Sequence, residues 1–367
     1  MSGMKVKVED LHEGCIIAEN IMGLTNYPIM KTNTSITALH IEVLQAFQID
    51  YVAVKTKKED GSLFGAEALD EASISEERQE RSSLSRPRTE FEREYHEAVM
   101  FYKNEFSNWQ SGSKVDIVKL KQAILPVITN SQMDTYVHRL HELCEAKEYI
   151  AHHSIAVGVL CHLIGRKMGY EDGLCTQLSL AGVLADAGMA KMPMSILQKS
   201  SGLERDEAIE IRKHSIFSYQ YIMDTPFLKK EMKKAIYQHH ERLDGSGYPI
   251  GEKGQNISMF SQIIALADMY HAMTSERLYK QRQSPFKTLE IITEDSFGKF
   301  DIVVVKALQD IIGNLTPGTK VQLSDGQHAE VIYTPPTDTI RPVVKRMEAE
   351  DILDLSKQRT LFIERIM

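Results

Sequence analysis

Hydrophobic positions change their period twice along this chain. From about Lys5 to Lys57, short β-prone runs, CIIA at 15–18 and YVAVK at 51–55, flank the helical pattern TALHIEVLQAF, which predicts a small α/β module over residues 1–57. Residues 58–88 are polar and rich in Glu, Ser and Arg, the composition of a linker. From Thr89 onward apolar residues recur at helical spacing, and a helical domain is expected over 89–318. Ile117, Leu120, Ile124 and Ile128 share one such face, with Pro126 expected to break or kink the helix. Helices between Glu90 and Cys144 are suited to cover the core or to pair two subunits as a homodimer. Beyond residue 318 the period becomes two. The segment TPGTKVQLSDGQHAEVIYTPP alternates and turns at Ser324-Asp325-Gly326, which predicts a β appendage over 319–367. The fold class is therefore mainly α, an all-helical bundle between a small α/β module and a short β tail.

Several of these helical patterns carry a polar group where carbon is expected. Between Gly173 and Ala190 the sole charged residue is Asp186, in a stretch with no plainly polar face, so a buried helix is expected there. A carboxylate in such a place is costly unless paired, strongly hydrogen-bonded or bound to a cation. His153 shares a stripe with Val157, Leu160, Cys161 and Ile164. Alone, it reads as a satisfied core histidine. His214 lies in a helical stretch from Glu204 to Met223, and Asp268 sits beside Phe260, Ile263, Ile264, Ala267 and Tyr270. Finally, His239–Pro249 reads HHERLDGSGYP, two adjacent histidines and Asp244 running into a glycine-rich turn. Neighbouring side chains on a helix diverge by about 100°, so one apolar stripe cannot bury both rings. A metal at a helix end satisfies both.

The segments HSIAVGVL, LADAGMAKMPMSIL, IRKHSIFSYQYI, HHERLDGSGYP and IIALADMYHAMTSERLYK, in this order from about Glu148 to Gly318, resemble the HD-GYP family of bacterial phosphohydrolases. The resemblance implies an all-helical HD-domain bundle that binds metal and hydrolyses cyclic di-GMP. It implies metal ligands at His153, Asp186, His214, His239, His240 and Asp268, with Asp186 bridging two ions as the central catalytic ligand. It also implies contacts to substrate phosphate from Arg277 and Lys280, with Tyr248 bordering the pocket. Imidazole and carboxylate together suit iron, manganese or zinc. Two such ions can activate water and neutralise a phosphodiester.

This chain departs from the pattern where the family reads His-Asp-x-Gly-Lys. Here Ala185 precedes Asp186 and Met189 stands for the lysine. His271 replaces the second aspartate of a DxxDA stretch, Gln262 an arginine, and Ser218 a glycine. One ion keeps all its implied ligands, Asp186, His214, His239 and His240. The other keeps His153, Asp186 and Asp268 but lacks an imidazole; His271, one helical turn from Asp268, is a candidate to fill that vacancy, although a residue merely tolerated there is the favoured reading. One complete and one impaired transition-metal site are thus expected. A metal-binding, cyclic di-GMP-binding or regulatory protein with weak turnover is favoured over an active phosphodiesterase.

Composition narrows the remaining classes. The 367 residues are 43% hydrophobic, enough for two domains with real cores. No run approaches 18 apolar residues and the start MSGMKVKVEDLHEG lacks an apolar signal core, so a cytoplasmic location and no membrane partner are expected. The net charge of −8, without a long basic run, argues against general nucleic-acid binding, leaving a cyclic di-GMP-like nucleotide or a protein as partner. Cys15, Cys144, Cys161 and Cys175 show no CxxC spacing, which excludes a zinc ribbon and a disulfide framework.

Overall fold

The computed structural model describes residues 4–22, 28–46, 49, 51–55, 89–144, 148–199, 201–276, 282–295, 298–349 and 351–367. It forms two compact units, Met1–Arg86 and Pro87–Met367. The expected linker at 58–88 lies outside the described residues.

In the first unit, β1 (Met4–Lys7) pairs antiparallel with β4 (Tyr51–Val54), Val6 opposite Val52. Short strands β2 (Ile21–Met22) and β3 (Pro28–Met30) pair separately, and α1 (Ala38–Ala46) supplies the helix. The two-residue alternation of YVAV buries Val52 and Val54 against Val6, Ile17, Ile36 and Leu44. The CIIA run makes only isolated bridges, Ile16 to Ser35 and Ile17 to Val54.

The second unit begins with α2 (Glu90–Gln110), started by a capping box in which Thr89 Oγ1 accepts from the Glu92 amide and the Glu92 carboxylate accepts from the Thr89 amide. Next, α3 (Ile117–Thr129) is capped by Asp116 and buries Ile117, Leu120, Ile124 and Ile128. The helix continues past Pro126 to Thr129, contrary to the expected break; a proline this near the C-terminal end sacrifices one hydrogen bond while the apolar face stays packed. At the centre lies α4 (Tyr149–Lys167), buried without interruption from Ala151 to Gly165. Against it pack α2, α3, α5 (Asp172–Leu184), α9 (Met259–Thr274) and α11 (Ile302–Ile312), while α6 (Arg205–Ile211), α7 (His214–Ile222), α8 (Lys230–Gln238) and α10 (Pro285–Asp295) complete the helical unit.

Two expectations need correction. Asp186 is not inside a helix: α5 ends at Leu184 and a 3₁₀ turn spans Ala187–Lys191, so Asp186 sits at their junction. The stretch 204–223 is not one helix either. It breaks at Arg212–Lys213, and the Asp186 turn packs tightly on the start of α7: a Cβ on Gly188 would stand 2.1 Å from the His214 carbonyl oxygen and 2.5 Å from the Ser218 nitrogen.

The C-terminal strands β5 (Lys320–Leu323), β6 (His328–Tyr333), β7 (Val343–Arg346), β8 (Ile352–Asp354) and β9 (Ile363–Ile366) form one antiparallel sheet in the order β8-β7-β6-β5-β9. The expected hairpin at Ser324–Gly326 joins β5 to β6. Val321, Leu323, Val331 and Val344 share the helices' core, and buried Arg341 donates to the Leu355 and Leu361 carbonyls while pairing with Glu290 of α10 at 2.5 Å. Among the described residues no helix is long and apolar enough to cross a membrane, and the four cysteines are free.

Candidate metal centre

Six expected ligands converge. On α8 the residues Met232, Ala235 and Ile236 are buried at i, i+3, i+4 spacing, and His239 falls at i+7 on the same face just past the helix end. Its neighbour His240 would diverge, but the chain has left the helix and folds back. Tyr248 NH donates to the His240 carbonyl at 3.2 Å, and a Cβ on Gly247 would lie 2.3 Å from that same oxygen, so only glycine lets the loop close. α7 presents His214 as its first residue, α4 presents His153, α9 presents Asp268, and the Asp186 turn lies between them.

The first cluster comprises Asp186, His214, His239 and His240. His214 Nδ1 donates to the Ile211 carbonyl and His239 Nδ1 to the Ile236 carbonyl, each at 2.6 Å. Protons on Nδ1 leave lone pairs on Nε2 of the neutral rings. Yet those Nε2 atoms are 3.2 Å apart, His240 Nε2 is 3.0 Å from His214 Nε2, and Asp186 Oδ1 is 3.2 and 3.6 Å from His214 and His239. Electron pairs facing one another in a buried space repel unless a cation stands between them. Asp186 Oδ1 itself receives no well-directed hydrogen bond although it is buried. Donors bound at about 2.1 Å around a tetrahedral ion lie about 3.4 Å apart, so these residues fit a divalent metal.

The second cluster comprises His153, Asp186 and Asp268. His153 Nε2 lies 2.9 Å from Asp268 Oδ1 and 3.5 Å from Asp186 Oδ2. Its other nitrogen, Nδ1, is 3.0 Å from both the Tyr149 hydroxyl and His271 Nδ1. His271 therefore stands behind His153, on the nitrogen facing away from the carboxylates, where it fixes the orientation of that ring and does not join the carboxylate cluster. Ala185 is buried and offers no donor there.

Electrostatics follow the geometry. Burial pushes the Asp186 carboxyl up, but His214 and His239 beside it outweigh burial and hold it well below the usual carboxylate range. Asp268 is also lowered, burial being overcome by the His153 hydrogen bond. His214 is raised, its loss to burial exceeded by the Asp186 contact, whereas burial and the His239 and His214 rings drive His240 well down.

The Tyr248 ring stacks on His240 at 4.5 Å, with the Arg212 guanidinium 5.3 Å from its centroid. Asp244 stays outside the cluster: it is exposed and accepts from the Ser246 amide and hydroxyl, shaping the turn. Arg277 and Lys280 lie outside the described residues. Gln262 serves the fold by accepting from the Asp301 amide. Two positioning residues were not assigned from sequence. Glu241, buried, accepts from the amides of Ile250, Gly251 and Glu252, clamping the loop after Tyr248. Ser218 Oγ donates to the Ala185 carbonyl at 2.6 Å and accepts from the Gly188 amide at 2.8 Å, so it staples the turn that holds Asp186. An acid directly after two histidines was a readable signal for the first; nothing in the sequence marked the second beyond its departure from glycine.

Residues 134–304 match the profile of a family described as HD domain. Among curated proteins, the cyclic di-GMP phosphodiesterase PA4108 of Pseudomonas aeruginosa is 31% identical over 53% of this chain and 49% of its own length. The 3'3'-cGAMP-specific phosphodiesterase 3 of Vibrio cholerae is 32% identical over 55% of this chain and 44% of its length. The chain spans about half the length of these relatives. An HDG"Y"P protein from Bdellovibrio bacteriovorus shares the fold, with a TM-score of 0.50 at 16% identity over 84% of this chain and 98% of that one.

Proposed function

We propose that the helical unit of this chain, whose residues 134–304 match an HD-domain profile, is an HD-GYP-type, metal-bound receptor for cyclic di-GMP or a related cyclic dinucleotide, with weak or no turnover and a regulatory role. The carrying observation is the unequal pair of clusters that share Asp186, one of four candidate ligands and one of three. Asp186, His214, His239 and His240 would hold one transition ion, iron, manganese or zinc, tightly. A bound ion supplies a positive centre that polarises a phosphoryl oxygen and acidifies water. His214 and His239, pinned through Nδ1, keep their Nε2 lone pairs aimed inward. Tyr248 borders this pocket, and Arg277 and Lys280 are proposed as phosphate contacts. Ala185 and Met189 offer neither imidazole nor ammonium, which removes a ligand and a cation from the reacting side.

A second reading, a working phosphodiesterase, is favoured by the three-ligand cluster, since catalytic metals commonly keep three protein ligands and an open position. Metal content and cyclic di-GMP hydrolysis of the purified chain separate the two. About one tightly bound ion and slow turnover are expected. Two stoichiometric ions with fast hydrolysis establish the second reading. Ala185→His together with Met189→Lys should add an ion and raise hydrolysis about ten- to a hundredfold, each change alone doing less because the ammonium helps only once ions and phosphate are in place.

A further inference from the structure

A cavity of about 550 Å³ opens beside Asp186 and Met189, within the roughly 300–1,000 Å³ range of small-molecule sites. Asp186 is the carboxylate shared by both clusters, so a molecule in this cavity reaches the metal centre directly. Phe106, Tyr149, Met194 and Leu203 line it, aromatic rings and flexible apolar side chains that suit a flat ring system. Gln110, Gln198 and Lys199 also border it, and its wall carries an ion pair between Lys103 of α2 and Glu148 at the start of α4. Both side chains keep solvent access, Lys103 at 48% and Glu148 at 24% relative exposure. A pair this open contributes little to stability, about 0–1 kcal/mol, so its place in an apolar cavity is not accounted for by folding.

We propose that this cavity is a guanine subsite in which Lys103 and Glu148 read the edge of one base of a bound cyclic dinucleotide; this rests on the cyclic-dinucleotide reading above. Guanine presents an acceptor, O6, beside two donors, N1–H and the N2 amino group. An ammonium next to a carboxylate is the complementary pattern: Lys103 donates to O6 and Glu148 accepts from N1–H and N2–H. Adenine inverts it. Its N6 amino group would meet the ammonium, donor against donor, and its unprotonated N1 would meet the carboxylate, acceptor against acceptor. A single guanine satisfies the subsite, so ligands with one or two guanines should both be accepted.

Calorimetric titration of the metal-loaded full chain with cyclic di-GMP, 3'3'-cGAMP and cyclic di-AMP tests this. The first two should bind alike and cyclic di-AMP about tenfold or more weaker, because facing donors and facing acceptors lose the hydrogen bonds that guanine makes. Glu148→Ala should narrow that gap while leaving metal content unchanged. Leu203→Trp, a substitution at a part-exposed position, should weaken guanine-containing ligands by filling the cavity, again with metal retained. Cyclic di-AMP binding within about threefold of cyclic di-GMP, or an undiminished preference in Glu148→Ala, overturns the subsite but leaves the receptor reading standing. A metal-loaded chain that binds none of the three ligands overturns both.

Discussion

His152 and His153 are consecutive on α4, both buried, and do opposite work. His153 faces Asp268 and Asp186 across 2.9 and 3.5 Å. His152 belongs to neither cluster: its ring is 6.0 Å from that of Tyr95, and its Nδ1 has no hydrogen-bond partner among the described residues. Burial pushes His152 down to about 4, the behaviour of an imidazole kept neutral by an apolar environment. His138 and His141 behave likewise, each lowered to about 4 by burial. Degree of burial therefore does not separate a ligand from a core histidine. What separates them is whether the ring looks at a carboxylate and whether its far nitrogen is anchored, as in His214 and His239.

The largest effect should come from emptying the carboxylate side. His239→Ala removes one of four ligands and leaves Asp186 with a weakened counter-charge, so the tight ion should be lost and stability should fall by about 3–5 kcal/mol. His152→Leu, which trades a ring outside both clusters for an apolar side chain, should keep the full metal content and change stability little at neutral pH. Elemental analysis and thermal melting of both variants decide it. Metal loss in His152→Leu, or a His239→Ala variant that melts like the parent, removes the distinction drawn between the two groups.

Acid probes the other side. For His138, His141 and His152 the folded values near 4 lie below the ordinary 6.5, so between those limits the unfolded chain binds more protons than the folded one. Their stabilising contribution is complete above pH 6.5 and is lost as pH falls toward 4, by at most roughly 3 kcal/mol per histidine. Denaturant melts from pH 7 to 4.5 should show this decline, and His152→Leu should flatten it by about one histidine's share. Metal release also increases as ligands protonate, so the comparison belongs between parent and His152→Leu at matched metal occupancy. An identical slope in the two proteins would mean that His152 takes up its proton in the folded state.

Much of this division was legible before any coordinates. Asp186 alone among apolar residues, and two histidines at a helix end, each demanded a cation or a partner, and periodicity located α4, α9 and the β5–β6 hairpin. Periodicity failed where chain geometry is set by a neighbour. Nothing local announced the break of Glu204–Met223 at Arg212–Lys213, nor the close approach of Gly188 to the start of α7. Likewise β1 pairs with β4 from the far end of its unit, a non-local partnership that short strand-like runs do not announce. His271 was placed correctly on the face of Asp268, but spacing along a helix could not say which nitrogen of His153 it would meet.

The smallest predicted effect concerns how the shared carboxylate is held. The Ser218 hydroxyl is fully buried and bonds to backbone groups on both sides of Asp186, the Ala185 carbonyl and the Gly188 amide. Ser218→Ala strands both groups away from solvent, which should cost about 1–2 kcal/mol in stability. Because the turn then loses its staple, Asp186 should also be less well positioned, and metal should dissociate severalfold faster in a chelator-competition assay, in line with the weakening seen when supporting partners of ligands are lost. Ser218→Gly should be milder, since the smaller residue leaves room for a water that can bridge the same two groups. Unchanged metal release in Ser218→Ala, with stability reduced as expected, would assign the hydroxyl to the fold alone and leave Asp186 positioned by the packing of Gly188 against α7.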